Sequence, residues 1–130
     1  MIVADTNIIA YLFLESEHTQ KARQWLAEDS QWHVPSLWQS EFMNILALYM
    51  RKELLSLKQA IAIQEQAASR LSQYEHRPLA KEVLTLAKQS GCTAYDCEFV
   101  ATAKDLGCSL LTADKPLLKA FPNIAVAFAS

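Results

Sequence analysis

MIVADTNIIAYLFL, residues 1–14, places a charged side chain between two apolar segments. Ile2–Ala4 is a short apolar run of the kind that forms a buried strand. Asp5 follows that run directly, and after two polar residues an apolar stretch continues to Leu14. An ionised carboxylate at the end of a buried strand costs several kcal/mol unless another group pairs with it. The segment therefore raises the question of what pairs with Asp5.

The composition is that of a folded protein. The chain has 130 residues, 52% of them hydrophobic, which is enough to bury one core. Only two glycines and four prolines interrupt it, which favours a helical or α/β protein over a disordered one. We therefore expect a single domain over residues 1–130.

The sequence predicts a cytoplasmic protein that makes no use of a membrane. No apolar run approaches the roughly 20 residues of a membrane span, and the first residues lack the basic region of a signal peptide. Cys92, Cys97 and Cys108 are odd in number and form no C-x-x-C pair. We expect them to be reduced and mostly buried thiols.

Short strand signals alternate with longer helical segments along the chain. The predicted strands are Ile2–Ala4, Trp32–Val34, Ser109–Thr112 and Ile124–Phe128. The predicted helices are Thr6–Leu14, His18–Glu28, Ser36–Glu53, Leu57–Leu71, Leu79–Gln89, Ala94–Leu106 and a short helix from Lys115. This alternation indicates βαβ units around a parallel sheet, in which ligands bind at the carboxyl ends of the strands.

Four acidic residues stand at positions that matter in such a fold. Asp5 ends the first predicted strand and Asp114 comes just after the third, so both fall at the carboxyl edge of the sheet. Asp96 opens the sixth helix. Glu41 lies inside the third helix on its apolar face, where a charge is normally an error of patterning.

Three of these acids also have a purely structural explanation. Asp5 and Asp114 precede helices and suit N-caps, and the segment TAYD that ends at Asp96 fits a capping box. Glu41 caps nothing in the middle of a helix. Four carboxylates at one edge would repel one another strongly without cations, and oxygen-only clusters suit Mg²⁺ or Mn²⁺. Helix caps and a divalent-metal site are therefore both open interpretations.

The ordered motifs VADTNIIAYL, SLWQSEFMN, TAYDCEFVATAKDLG and LLTADKPLLKAFP resemble those of PIN-domain ribonucleases. In length and order they are most similar to the VapC-type toxins of type II toxin–antitoxin systems. The resemblance implies a three-layer α/β/α fold with a short central parallel sheet of four to five strands. It also implies a Mg²⁺- or Mn²⁺-dependent endoribonuclease that leaves 5′-phosphate and 3′-hydroxyl ends. As partners it implies a second copy of the chain, in a homodimer, and a small antitoxin whose segment lies in a groove between helices.

The resemblance also assigns roles to residues. Its catalytic and metal-binding positions match Asp5, Glu41, Asp96 and Asp114. Of these, Asp5 and Asp96 are expected to be the main metal ligands, and Asp114 to support a second ion. Glu41 is expected to bind metal through water or to position the attacking water. The surrounding hydroxyl and amide positions match Thr6, Asn7 and Thr112.

Glu98 departs from the family pattern, which more often has an apolar residue there. It lies two residues after Asp96, about 200° around the helix. Glu98 could add a fifth acid near the site or face solvent, and this angle favours solvent.

The formal net charge of −2 weighs against a nucleic-acid binder, which is usually basic. Without the four site acids, ten acidic and twelve basic residues remain. Candidates for a basic rim are Arg51, Lys52, Lys58, Arg70, Arg77 and Lys81. The small excess favours a structured RNA that is recognised by shape. The alternative function is a PIN-like module that binds RNA or a protein without cutting.

Overall fold

A five-stranded sheet lies at the centre of the computed structural model, which describes residues 1–129. Its strands are β1 Ile2–Ala4, β2 Trp32–Pro35, β3 Glu75–His76, β4 Leu110–Thr112 and β5 Ala125–Ala127. They lie in the order β3-β2-β1-β4-β5, and each neighbouring pair is parallel. The helices are α1 Thr6–Phe13, α2 Thr19–Glu28, α3 Trp38–Arg51, α4 Leu57–Leu71, α5 Ala80–Ser90, α6 Ala94–Leu106 and α7 Lys115–Ala120. The predicted end of the domain, Ser130, lies outside the described residues.

Helices cover both faces of this sheet. Every residue of β1 and β4 is buried, and successive strand residues point to opposite faces, so both faces must be covered. Helices α1, α2, α3 and α4 contact one another, whereas α5 pairs with α6, and α6 packs on β1, β2 and β4. The predicted three-layer α/β/α class with a parallel sheet of four to five strands is confirmed. Within residues 1–129 no helix is both long enough and apolar enough to cross a membrane.

Large side chains between the layers fix the helix that carries Glu41. Trp38 and Phe42 lie on either side of it in α3, and both are fully buried. Their rings are 5.8 Å apart, and the Trp38 Nε1–H donates a hydrogen bond to Glu75 next to β2. Burying two such side chains stabilises the protein by several kcal/mol. The start of α3 is thereby held against the sheet.

The predicted elements are all present, with three differences of detail. Strand β3 was not predicted, because Glu75 and His76 carry no apolar run and the strand depends on pairing with β2. The last strand is shorter than Ile124–Phe128, and ends of α1, α2, α3 and α5 move by one or two residues, whereas α4 and α6 have their predicted bounds. Such shifts are expected because helix ends depend on caps rather than on periodicity.

Helix α3 ends two residues before Glu53, the predicted end, because Glu53 adopts the left-handed conformation with φ of 59°. The Leu54 N–H donates to the Tyr49 carbonyl and the Glu53 N–H to the Met50 carbonyl. This pair of bonds is the Schellman motif, which normally has glycine at the left-handed position. A glutamate is strained there, as its Cβ crowds the backbone.

Glu53→Gly is expected to stabilise the protein by about 0.5–1 kcal/mol. Glycine relieves the strain of the left-handed conformation, about 1–2 kcal/mol. It also gives the unfolded chain more backbone entropy, which opposes folding by about 0.5–1 kcal/mol. Urea unfolding measures the change. Glu65→Gly, on the exposed face of α4, is the matched control and should lower the free energy of unfolding by about 1 kcal/mol. Equal destabilisation by both substitutions would contradict the assigned strain.

Candidate active site

Asp5 lies where β1 ends, beside β4, at the carboxyl edge of the sheet. Ala4 pairs with Leu111, and the Asp5 N–H donates to the Leu111 carbonyl at 3.0 Å. This register brings Thr112 next to Asp5, and the Thr112 hydroxyl donates to Asp5 Oδ2 at 2.7 Å. The Thr6 N–H donates to Asp5 Oδ1 at 2.8 Å, and Asp5 is only 8% exposed. Two hydrogen bonds thus fix a buried carboxylate in one orientation.

Glu41 is tied to the same point from another helix. It lies in the first turn of α3, not in the middle of the helix as predicted, because α3 begins at Trp38. The Thr6 hydroxyl at the start of α1 donates to Glu41 Oε1 at 2.7 Å. Glu41 is half-buried. Because Thr6 directly follows Asp5, its bond to Glu41 brings the carboxylates of Asp5 and Glu41, which are 36 positions apart in the sequence, to one place.

Asp96 and Asp114 are both at helix starts. Thr93 is the N-cap of α6, and its hydroxyl accepts the Asp96 N–H at 3.1 Å. Asp114 is the N-cap of α7 and accepts the Leu117 N–H at 3.5 Å. The predicted caps at Asp5, Thr93 and Asp114 are therefore present. They do not exclude a metal site, because a carboxylate oxygen that accepts one hydrogen bond has a second lone pair.

The four acids line one open pocket of about 240 Å³. Its walls are Asp5, Thr6, Asn7, Glu41, Asn44, Ile45, Asp96 and Asp114. A larger polar hollow of about 530 Å³ lies elsewhere, between Phe13, Arg70 and Tyr74, and no carboxylate lines it. The smaller pocket carries the reactive groups, so chemistry rather than size identifies it as the candidate site. No lysine or arginine lines it.

Burial and repulsion between charges make ionisation of Asp5, Glu41 and Asp96 less favourable. Burial raises the pKa of Asp5 above its ordinary value of 3.8, hydrogen bonds from Thr112 and Thr6 lower it, and the charges of Asp96 and Asp114 raise it further. Burial likewise raises the pKa of Glu41 and of Asp96. The folded protein therefore disfavours three negative charges that it has gathered in one pocket.

A divalent cation fits this charge distribution. None of the ion pairs within residues 1–129 involves the four acids, so no lysine or arginine neutralises them. No group of three or more histidine, cysteine, aspartate or glutamate side chains in the described chain is arranged to hold an ion by itself. Mg²⁺ does not require such a group, because it keeps several waters and binds proteins through one or two carboxylates.

Thr112 is the side chain on which Asp5 depends most. It is fully buried, its hydroxyl donates to Asp5, and its oxygen accepts the Asp114 N–H at 3.0 Å. Removing this hydroxyl leaves a buried carboxylate oxygen and a backbone N–H without their partner. Thr112 therefore connects the first and the fourth acid.

Thr112→Val is expected to lower the free energy of unfolding by about 1–3 kcal/mol, the cost of unsatisfied buried polar groups. Urea unfolding gives the value. Thr102→Val is the control, since Thr102 is also buried but its hydroxyl only returns to the Glu98 carbonyl of the same helix at 2.8 Å. If the two substitutions cost the same, Thr112 has no special role at Asp5.

Glu98 and Asn7 both lie near the four acids. Glu98 is half-buried and its charge raises the pKa of Glu41, but it is not among the residues that line the pocket. Asn7 lines the pocket, and its amide makes no hydrogen bond to a carboxylate in residues 1–129. The place of Asn7 among the residues around the acids, which the resemblance implies, stays a prediction.

Sequence reasoning missed Asn44 and Ile45, which line the same pocket. They lie three and four residues after Glu41, so helical spacing from an identified site residue would have found them. The candidate basic residues are not in the pocket. Arg51, for example, is ten residues from Glu41, about 15 Å along the helix.

Comparisons with known proteins agree with this fold. The chain is 29% identical over 126 residues to Ribonuclease VapC3 of Pyrobaculum aerophilum, which covers 95% of this chain and 96% of that protein. The crystal structure of FitAcB from Neisseria gonorrhoeae matches with a TM-score of 0.72 and 21% identity, over 96% of each chain. A toxin–antitoxin complex from Klebsiella pneumoniae matches with a TM-score of 0.69 and 18% identity, over 100% of this chain and 99% of that one. These two structures support the fold.

The match to a family model covers the whole site. The model described as PIN domain matches residues 2–121, which include all four acids and strands β1 to β4. Because this match spans most of the chain, the protein belongs to the PIN domain family.

Proposed function

We propose that the protein is a divalent-metal-dependent endoribonuclease and the toxin of a toxin–antitoxin pair. The observation that carries this proposal is the pocket of four carboxylates, lined by no lysine or arginine, at the carboxyl edge of a PIN domain sheet. The 29% identity to Ribonuclease VapC3 over nearly the full length supports RNA as the substrate.

Asp5 and Asp96 would be the main ligands of a Mg²⁺ or Mn²⁺ ion, with Asp114 supporting a second one. Each Asp5 oxygen accepts a single hydrogen bond, from Thr6 or from Thr112, and keeps a lone pair for the ion. When bound, the ion supplies positive charge that offsets the charge of the phosphate and lowers the pKa of water.

Glu41 is suited to take the proton of the attacking water. The Thr6 hydroxyl occupies Oε1, and Oε2 has no hydrogen-bond partner in the described chain. Burial raises the pKa of Glu41, so it is a better base than an ordinary glutamate. The fixed hydrogen bond to Thr6 also orients the carboxylate before substrate arrives, which reduces the entropy cost of the reaction.

An exposed apolar groove supports a small antitoxin as partner. It has a volume of about 250 Å³, lies between α3 and α4, and includes Met43, Leu57 and Ile61. Met43 and Ile61 are each 49% exposed and Leu57 66%. Adjacent exposed apolar side chains mark protein-binding surfaces, and a groove between helices suits an amphipathic segment. The fold match to a toxin–antitoxin complex from Klebsiella pneumoniae points the same way.

Charge, family resemblance and free thiols support the proposed substrate, assembly and compartment. The low basic excess favours a structured RNA, and the family resemblance favours a homodimer. Cys92, Cys97 and Cys108 are free thiols, as is usual in the reducing cytoplasm, where we propose that the protein acts. A short reading frame beside the gene, encoding a DNA-binding protein that copurifies with this chain, would support the toxin role.

Cleavage of a fluorogenic RNA tests the proposal. The wild type should cleave with Mg²⁺ or Mn²⁺ and stop when EDTA is added, and Asp5→Asn should cleave poorly under both conditions. Equal cleavage by wild type and variant would show a contaminating nuclease. Binding of RNA without cleavage by the wild type would favour the alternative of a silent binding module.

A further inference from the structure

Two carboxamides are the free hydrogen-bond donors of the candidate site. Asn7 and Asn44 line the pocket, both side chains are exposed, and neither makes a side-chain hydrogen bond to another residue in 1–129. The one other neutral donor among the lining side chains, the Thr6 hydroxyl, is already bonded to Glu41. A negatively charged ligand therefore meets N–H groups in this pocket at Asn7 and Asn44.

The backbone around these amides is held by the bond between α1 and α3. Asn7 directly follows Thr6, and Asn44 lies one turn after Glu41 on the same face of α3. The 2.7 Å bond from Thr6 to Glu41 thus fixes both helices beside the carboxylates. Because the amides are exposed and Asp5 is buried, they lie nearer the mouth of the pocket than the acid does.

Charge limits what can hold RNA at this mouth. Carboxylates repel phosphate, and no basic side chain lines the pocket. A carboxamide carries no charge and has two donors and one acceptor. The ribose 2′-hydroxyl is both donor and acceptor, and it is the group that distinguishes RNA from DNA. One carboxamide can therefore both donate a hydrogen bond to a 2′-hydroxyl and accept one from it. A carboxylate can only accept, and a lysine can only donate.

We propose that Asn44, assisted by Asn7, binds the 2′-hydroxyl of a ribose next to the scissile phosphate and so selects RNA over DNA. Half-buried Ile45, one residue further along α3, supplies an apolar wall for that sugar. The inference rests on the proposed ribonuclease function. It makes Asn44 a substrate-contacting residue and leaves the metal-binding acids as already assigned.

The test uses one RNA substrate and copies with a single 2′-deoxy sugar at each position around the cleavage site. For the wild type, one of these sugars should lower kcat/KM by about 3- to 10-fold, the effect of one hydrogen bond. Asn44→Ala should lower kcat/KM on the all-ribose substrate by a similar factor, chiefly through KM, and should abolish the penalty at that sugar alone. Asn7→Ala should reduce the same penalty partly.

The controls separate the two proposals. Gln66→Ala removes an exposed carboxamide outside the pocket and should leave both the rate and the deoxy penalty unchanged. Binding of the same oligonucleotides to the Asp96→Asn variant, measured by fluorescence anisotropy, should show the same preference without cleavage. If the wild type cleaves but Asn44→Ala keeps the full deoxy penalty, the role of Asn44 is wrong and the nuclease assignment stands. If the wild type cleaves none of the substrates, the nuclease proposal itself fails.

Discussion

Asp96→Asn is expected to abolish cleavage and, at the same time, to make the metal-free protein more stable. Substituting residues that only support metal ligands typically costs 10- to 100-fold in activity, so loss of a main ligand should cost at least about 100-fold. The change keeps the size of the side chain and removes its charge. The loss therefore reports on the carboxylate and not on packing.

The gain in stability follows from the electrostatics of the pocket. Burial raises the pKa of Asp96 above 3.8, and repulsion by Asp114 raises it further. A negative charge in the first turn of α6 is stabilised by the helix dipole by about 0.3–1 kcal/mol. The raised pKa shows that burial and repulsion together outweigh this stabilisation. Removing the charge should raise the thermal midpoint by a few degrees.

Thermal unfolding in EDTA and the RNA cleavage assay, run on the same preparation, measure the two effects. Glu65→Gln, an exposed isosteric change on α4, is the control and should alter neither quantity. A destabilised and inactive Asp96→Asn protein would show that Asp96 has a structural role, and would contradict the assignment of an unneutralised charge.

Acidification is expected to remove the stabilising effect of metal. At neutral pH, Mn²⁺ at about 100 times its dissociation constant should raise the free energy of unfolding by about 2.7 kcal/mol. Metal binds the deprotonated carboxylates, so protons compete with it. Because burial raises the pKa of Asp5 and Glu41, this competition begins at a higher pH than their ordinary values of 3.8 and 4.5 imply.

The metal-free protein should show the opposite trend. An acid with a raised pKa in the folded state binds protons more tightly there than in the unfolded chain. The stability that such an acid contributes is fully present below its ordinary pKa. It is lost as the pH rises through the raised pKa of the folded state. In EDTA, this pocket therefore makes the protein less stable toward neutral pH.

Thermal midpoints across pH, with EDTA and with Mn²⁺, test both statements. The two curves should converge in acid and separate toward neutral pH. Comparing the wild type with Asp96→Asn isolates the pocket from other titrating groups, such as His33, whose pKa is lowered by burial and by His76. A metal-induced shift that persists below the ordinary carboxyl pKa would place the binding site elsewhere.

The sequence predicted those parts of the site that depend on local structure. Asp5 at a strand end and Asp114 before a helix both follow from short apolar runs and turn residues, and both positions are confirmed. That the charge of Glu98 raises the pKa of Glu41 could not be predicted, since a single helix indicates the angle of a residue but not which residues of other helices lie near it. Asn44 escaped notice for the same reason, because an exposed amide on a helix is ordinary until the pocket is known.

The sequence by itself therefore determined the order of the helices and of four of the five strands, and the places of Asp5, Asp96 and Asp114 within their own elements. These depend on side-chain periodicity and capping, which act over a few residues. Only the tertiary structure decided that Ala4 pairs with Leu111, which sets Thr112 against Asp5, and that Thr6 meets Glu41 35 residues away. Sheet order and helix packing arise from burial of side chains distant in the chain, and no local pattern specifies them.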